Sequence, residues 1–302
     1  MGALFVAHKP DYPGINDFAG GCHHTGRWPH VPVSFSSKRV GVIGTGSSGI
    51  QSIPEIAREA AHVTVLQRTP QYAFPAGNRP IPPEEMADAR TNWKSLRAKM
   101  NANFGGFPHE NQARSALEDT REQREALYEE LWQRGGFKFF LDLYSDIAIS
   151  EEANASLADF VRDKIRAIVD EPEVAELLAA KDYPIGTKRI CVDTNYFETF
   201  NRDNVTLVDV KDAPIEEITE TGLVTSGQHF EFDAIIFATG FDAMTGTLLK
   251  MDIQGRGGLT LGEKWEAGPR TYLGLMSEGF PNMFMITGPG SPSVLSNMMV
   301  SL

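Results

Sequence analysis

At 302 residues, 41% hydrophobic and 23% charged, the chain is long enough for two ordinary core-forming domains. Its 28 basic against 40 acidic side chains leave a formal charge of −12, which speaks against nucleic-acid binding, since phosphate affinity needs a cationic surface. No apolar run approaches the roughly 18 residues of a membrane-spanning helix, MGALFVAHKP lacks the basic n-region of a secretory signal, and two cysteines, Cys22 and Cys191, make no disulfide framework and suit a reducing cytoplasm.

Residues 1–37 read as loop, punctuated by Pro10, Pro13, Pro29 and Pro32, after LFVA (4–7), the end of a strand with nothing before it to pair with. Residues 38–69 form a β-α-β unit: KRVGVIG as a buried strand, SSGIQSIPEIAREAA as a helix that Pro54 should bend, and HVTVLQ as a second strand. Over 82–182 the pattern turns helical. Met86, Ala89, Trp93, Leu96 and Met100 step along one helix face, and Leu157, Val161, Ile165 and Ile168 do so again. The stretch 82–180 carries 20 acidic and 12 basic residues, as an insertion with a solvated acidic exterior would. Residues 183–232 return to short strands, VTLVDV and PIEEI among them. DAIIFATGFDAMT (233–245) is an apolar run ending at glycine, as a buried parallel strand would be, and PNMFMITGPG (281–290) repeats that design. The closing SNMMVSL stops inside what reads as a first helical turn, so the ends are those expected of a fragment.

Gly44-Thr45-Gly46-Ser47-Ser48-Gly49 matches GxGxxG, with an apolar strand before it and a helix after it, the context that turns a common glycine pattern into a dinucleotide fingerprint. Gly44 is expected to make the tight turn and Gly46 to admit a pyrophosphate. Gly49 is expected to let the helix pack on the strand, with the helix N-terminal amides facing the phosphates. At the end of the second strand an NAD site carries Asp or Glu, which holds the ribose 2′-hydroxyl. Here stand Gln67, Arg68 and Thr69, and a cation suits the 2′-phosphate of NADP(H).

Phe18, Gly20, His24, Trp28 and Pro29 punctuate a loop in which Cys22, His23 and His24 are contiguous, a spacing that cannot set three ligands around one ion, so no metal is expected. Lys188-Arg189 is, on spacing alone, a basic pair before a short strand.

Those five loop residues spell FxGxxxHxxxWP, which resembles the fingerprint of type I Baeyer–Villiger monooxygenases. The resemblance continues through KRVGVIGTGSSGIQ, QRTP, GTKRICVDTNYFETFNRDNV, FATGFDA, GPRTYLGL and GFPNMFMITGPGSP, nearly the whole chain. It implies an α/β fold in which a Rossmann-like NADP domain (38–81 and 183–232) is split by a helical insertion (82–182). Residues 1–37 would then close an FAD-domain segment and carry the signature linker, and residues 233–302 would return to an incomplete second, FAD-binding domain. The family's first, FAD-binding GxGxxG has no counterpart here, so the resemblance implies a partial chain, inactive by itself.

By the same resemblance FAD, NADPH and O2 act on a small ketone through a C4a-peroxyflavin, giving an ester or lactone. Arg189 is the implied catalytic residue, a permanently charged guanidinium that keeps the peroxide anionic. Lys188 joins Arg68 on the 2′-phosphate, His24 and Trp28 couple the cofactor domains as a hinge, and Gly240 and Met298 lie against FAD. N- or S-oxygenating flavin monooxygenases share a similar linker but commonly end it in Tyr or Phe instead of Trp28-Pro29. A bare NADPH-binding module would leave FATGFDA and Arg189 without a task.

Overall fold

The computed structural model describes residues 5–103, 106–109 and 112–291, which fall into two compact units. The larger spans residues 9–80 and 109–239. It opens with β1 (Gly21–His24), β2 (Arg39–Ile43), α1 (Ser47–Glu59), β3 (His62–Gln67) and β4 (Ala73–Pro75). The chain then passes through α2 (Pro83–Thr91) and α3 (Trp93–Ala102) of the other unit. It returns as α4 (Arg121–Arg134), α5 (Lys138–Leu141), α6 (Glu151–Ile168), α7 (Pro172–Leu178), β5 (Cys191–Asp193) and α8 (Tyr196–Thr199). Last come β6 (Val205–Asp209), β7 (Ile215–Thr219), β8 (Gly222–Thr225), β9 (Gln228–Glu231) and β10 (Ala234–Phe237).

A parallel sheet ordered β1-β10-β2-β3-β6 forms the centre, Rossmann-like in kind. Side chains alternate across it with period 2. Val40, Val42, Val63, Val65 and Ile236 share one core with α1 and with Tyr128, Leu131, Leu157, Val161, Ile165 and Leu178 of the helices. Ile43, Leu66, Ile235 and Phe237 face the other way, into a second core with Ile218, Leu223 and Phe232 of the antiparallel β7-β8-β9 meander. Both faces being covered, the strands read as continuous apolar runs, each full side-chain burial contributing about 1.5–3 kcal/mol. Gly41 sits where a Cβ would lie 2.7 Å from the Phe232 ring. The helix α1 runs unbroken through buried Pro54.

Three expectations need correction. The run at 233–245 does not open a separate region: β10 lies between β1 and β2 in register Ala234↔Val40, and the break between units falls after Thr239. Residues 21–24, expected as loop, are that sheet's edge strand. The helices of 82–182 are not one insertion, for α4–α7 share the sheet's core whereas α2 and α3 belong to the other unit. The Met86-to-Met100 face is divided at Asn92 (φ −99°, ψ 15°), and neither α2 nor α3 has a buried residue. Periodicity there signals helix without signalling burial.

The smaller unit comprises residues 1–8, 81–108 and 240–302. It adds α9 (Gly246–Leu249) and α10 (Leu261–Lys264) around a core of Leu261, Trp265, Phe280 and Met285. Ala7 forms an isolated antiparallel bridge with Phe241. No strand forms at 281–290. Met283 and Met285 turn inward while Phe284 and Ile286 are 74% and 80% exposed, and the segment's backbone meets its neighbour only through the Met285 amide to Leu275 carbonyl and Gly288 amide to Gly274 carbonyl bonds, too few for a ladder among the described residues. Among the described residues no helix is long and apolar enough to cross a membrane.

Candidate nucleotide-binding site

The three fingerprint glycines do three different things. Gly44 follows β2 at φ +105°, and a Cβ there would lie 2.7 Å from the Ala238 carbonyl oxygen. A Cβ on Gly49 would lie 2.3 Å from the Gly44 carbonyl oxygen, so only glycine lets α1 start this close to the turn. A Cβ on Gly46 would meet nothing within 4 Å. Gly46 is also the N-cap of α1, without a side-chain cap and with no acidic residue in the first turn. The helix start thus presents backbone amides and its positive dipole end to open space, an arrangement that holds an anion.

Beside this turn β3 ends. Gln67 is buried, its amide donating to the Leu177 carbonyl (2.7 Å), while Arg68 is exposed and forms no hydrogen bond or ion pair among the described residues. Tyr183 reaches the same segment, donating to the Pro70 carbonyl (2.8 Å), and burial pushes its pKa up to about 12. Over the Tyr183 ring, 4.2 Å from its centroid, stands Lys188 Nζ, held by cation–π attraction. The structure therefore brings Lys188 to the Arg68–Gln71 segment through a tyrosine that sequence reasoning missed. Thr45, grouped above with the binding residues, is only 4% exposed and donates its hydroxyl to the Thr69 carbonyl (3.1 Å). Ser47 and Ser48 occupy the first turn of α1, exposed and half-buried respectively.

Arg189 is exposed two residues ahead of β5, which pairs with β4 and packs on α1. The Cys191 thiol donates to the Arg189 carbonyl (3.9 Å); burial raises its pKa, partly offset by nearby Ser47 and by the Arg189 charge. That chain of contacts ties the Arg189 segment to the start of α1. The strand is fixed at its far end by Asp193, whose carboxylate accepts from the Tyr196 amide. Burial pushes the Asp193 pKa up to about 6. A buried carboxyl with a raised pKa binds its proton more tightly folded than unfolded. Its charge therefore costs stability as pH rises from about 4 to about 6, roughly 2–3 kcal/mol in all, and the loss is complete above that window. Asp193→Asn keeps the acceptor and removes the charge. Urea melts are expected to show this loss in the parent and its absence in the variant, read as the difference between the two pH profiles.

Of the signature residues, Phe18 and Gly20 lie against each other, and His24, Trp28 and Pro29 follow on β1 and the turn beyond it. Phe18 packs into the meander-side core, and a Cβ on Gly20 would lie 2.6 Å from the Asp233 carbonyl oxygen. His24 ends β1. Its Nδ1 accepts from the Gly26 amide (2.9 Å), capping the short 3₁₀ turn Thr25–Arg27, and its Nε2 lies 3.3 Å from Thr239 Oγ1. Neutral His24 with the proton on Nε2 satisfies both contacts. Trp28 packs at a tilt against His23 and Phe35, at 5.6 and 6.1 Å between centroids, and Pro29 follows it half-buried. In the smaller unit Gly240 sits at φ +80° with nothing within 4 Å of a Cβ, and its carbonyl accepts from the His8 amide. Met298 lies outside the described residues.

A family model for flavin-binding monooxygenase-like proteins matches residues 2–100. A Baeyer–Villiger monooxygenase of Pseudooceanicola batsensis is 46% identical over 97% of this chain and 53% of its own. Oxidized steroid monooxygenase bound to NADP superposes with a TM-score of 0.92 at 52% identity, over 99% of this chain and 57% of that one. The chain is thus similar, over nearly its whole length, to part of the Baeyer–Villiger monooxygenases. OTEMO in complex with FAD and NADP gives a TM-score of 0.96 at 42% identity, covering 99% of this chain and 58% of the other. The chain spans about half the length of the relatives it matches.

Proposed function

We propose that this chain is the nicotinamide-handling part of an enzyme that inserts one oxygen atom of O2 beside a ketone carbonyl, giving an ester or lactone and water at the expense of NADPH. Bound FAD supplies oxygen activation and bound NADPH the reducing hydride. The observation that carries the reading is the open Gly46 cradle at an uncapped helix start, with exposed Arg68 closing β3 beside it and Lys188 held over Tyr183, whose hydroxyl binds the Pro70–Gln71 segment.

In this reading the sheet unit is the NADP domain. The α1 amides at 46–49 hold the pyrophosphate, and Arg68, Thr69 and Lys188 surround the 2′-phosphate. Arg189, always charged, orients anionic groups at the nicotinamide end. His24 and Trp28 anchor the loop leaving β1, so that its movement is transmitted to β10 through Thr239. Residues 240–302 belong to the FAD domain, where the bare Gly240 leaves room for a nucleotide. A cytoplasmic location is supported by two free thiols, Cys22 and Cys191.

The test is a titration of the chain with NADP+ and NAD+. A charge-assisted bond of roughly 1.5–3 kcal/mol predicts about tenfold or greater preference for NADP+. Arg68→Ala is expected to erase most of it while leaving NAD+ binding unchanged. Equal affinity of the parent for both nucleotides would refute the reading.

A further inference from the structure

We propose that Thr45 sets nucleotide selectivity from inside the fold, as a positioning residue that holds the Arg68 turn at the 2′-phosphate; this rests on the NADP(H) reading above. β2 and β3 leave the sheet side by side, Ile43 opposite Leu66. Beyond that pair two hydrogen bonds tie the glycine turn to the end of β3: the Gly44 amide to the Leu66 carbonyl (3.0 Å) and the Thr45 hydroxyl to the Thr69 carbonyl (3.1 Å). Gln67 and Arg68 lie between these anchor points.

Every neighbour of Arg68 is fastened. The Gln67 carbonyl accepts from the Val210 amide (2.8 Å) and its side chain is held by Leu177. The Pro70 carbonyl accepts from Tyr183. The Arg68 side chain alone has no hydrogen-bond or ion-pair partner among the described residues, so the backbone beneath it decides where the guanidinium begins. Thr45 is the tie that links this backbone directly to the turn carrying Gly46. It therefore fixes the spacing between the pyrophosphate cradle and the cation for the 2′-phosphate.

The buried hydroxyl cannot itself reach a ligand, so its loss acts through Arg68. Valine has threonine's shape without the donor and would leave the Thr69 carbonyl unpaired. A net hydrogen bond of about 1 kcal/mol converts to about fivefold. A lost pyrophosphate contact would affect both nucleotides; a displaced Arg68 affects only the one carrying a 2′-phosphate.

The experiment titrates NADP+ and NAD+ against the parent chain, Thr45→Val, Thr45→Ser and Arg68→Ala, and against Thr45→Val combined with Arg68→Ala. Thr45→Val is expected to weaken NADP+ about fivefold and NAD+ less than twofold, with Thr45→Ser restoring the parent ratio. In the Arg68→Ala background, Thr45→Val should change neither affinity further. Equal losses for both nucleotides, no rescue by serine, or additive effects with Arg68→Ala would overturn the proposal while the NADP(H) reading stands. A parent chain indifferent to the 2′-phosphate would overturn both. If Thr45→Val does not fold, Thr45→Ala carries the same comparison.

Discussion

In an enzyme completed by the FAD-domain segments, Arg189→Ala is expected to lower ketone-dependent NADPH oxidation by about a hundredfold or more, the usual cost of deleting one preorganised charge-stabilising donor. Its NADP+ affinity should stay within about threefold, because in the proposed reading Arg68 and the α1 amides carry that binding. The asymmetry follows from placement. Arg189 is exposed and has no ion-pair partner among the described residues, so its charge is not neutralised by the fold. Its segment is nonetheless held by the β4–β5 ladder, the Cys191 thiol on the Arg189 carbonyl and the Asp193 turn. A fixed cation is worth far more to a developing anion than one that must reorganise. Arg189→Lys keeps the charge but loses the planar fork, and about tenfold of the activity should go with it. Steady-state NADPH oxidation with a ketone, read beside nucleotide titrations, measures both quantities. If rate and affinity fall together in Arg189→Ala, the residue serves binding and the catalytic assignment fails.

Local signals account for much of what the sequence made legible. The β2-α1-β3 unit was readable because unbroken apolar strands flank a glycine turn, and each glycine's task follows from sterics that any such turn obeys. The buried Leu157, Val161 and Ile165 face was readable from helical spacing. What escaped depends on distant partners. GCHH at 21–24 has no strand-like alternation and becomes a strand because the β10 edge accepts it in register Gly21↔Ala234. The place of β10 within the parallel sheet is a matter of topology, which an apolar run cannot encode. The 83–102 helices have the spacing of a buried face without the burial. In the site, Arg68 and Lys188 were legible as charges, and the family resemblance joined them on one phosphate. Tyr183, the side chain that brings their segments together, was not, because a tyrosine five residues before Lys188 looks like any other. The inward turn of Thr45 was equally hidden, since a threonine between two glycines suits a ligand contact as well as a buried tie.

The glycine turn makes the sharpest separation between folding and binding. Gly49→Val is expected to destabilise the chain by about 4 kcal/mol or more, since even a Cβ would sit 2.3 Å from backbone that cannot move aside, and overpacking with branched atoms adds strain. Gly44→Val combines a clash with the Ala238 carbonyl and a φ of +105°, which a β-branched residue does not adopt, so about 3–4 kcal/mol should be lost there too. Gly46→Ala should behave in the opposite way. Its φ of −76° is ordinary and its Cβ meets nothing, so stability should change by less than about 1 kcal/mol, the usual N-cap difference. The methyl would nevertheless occupy the cradle, and NADP+ and NAD+ should both bind about tenfold more weakly. Urea melts and nucleotide titrations on the three variants decide the matter together. Normal binding by a stable Gly46→Ala chain would mean that no ligand backbone approaches there, and the pyrophosphate would have to lie elsewhere.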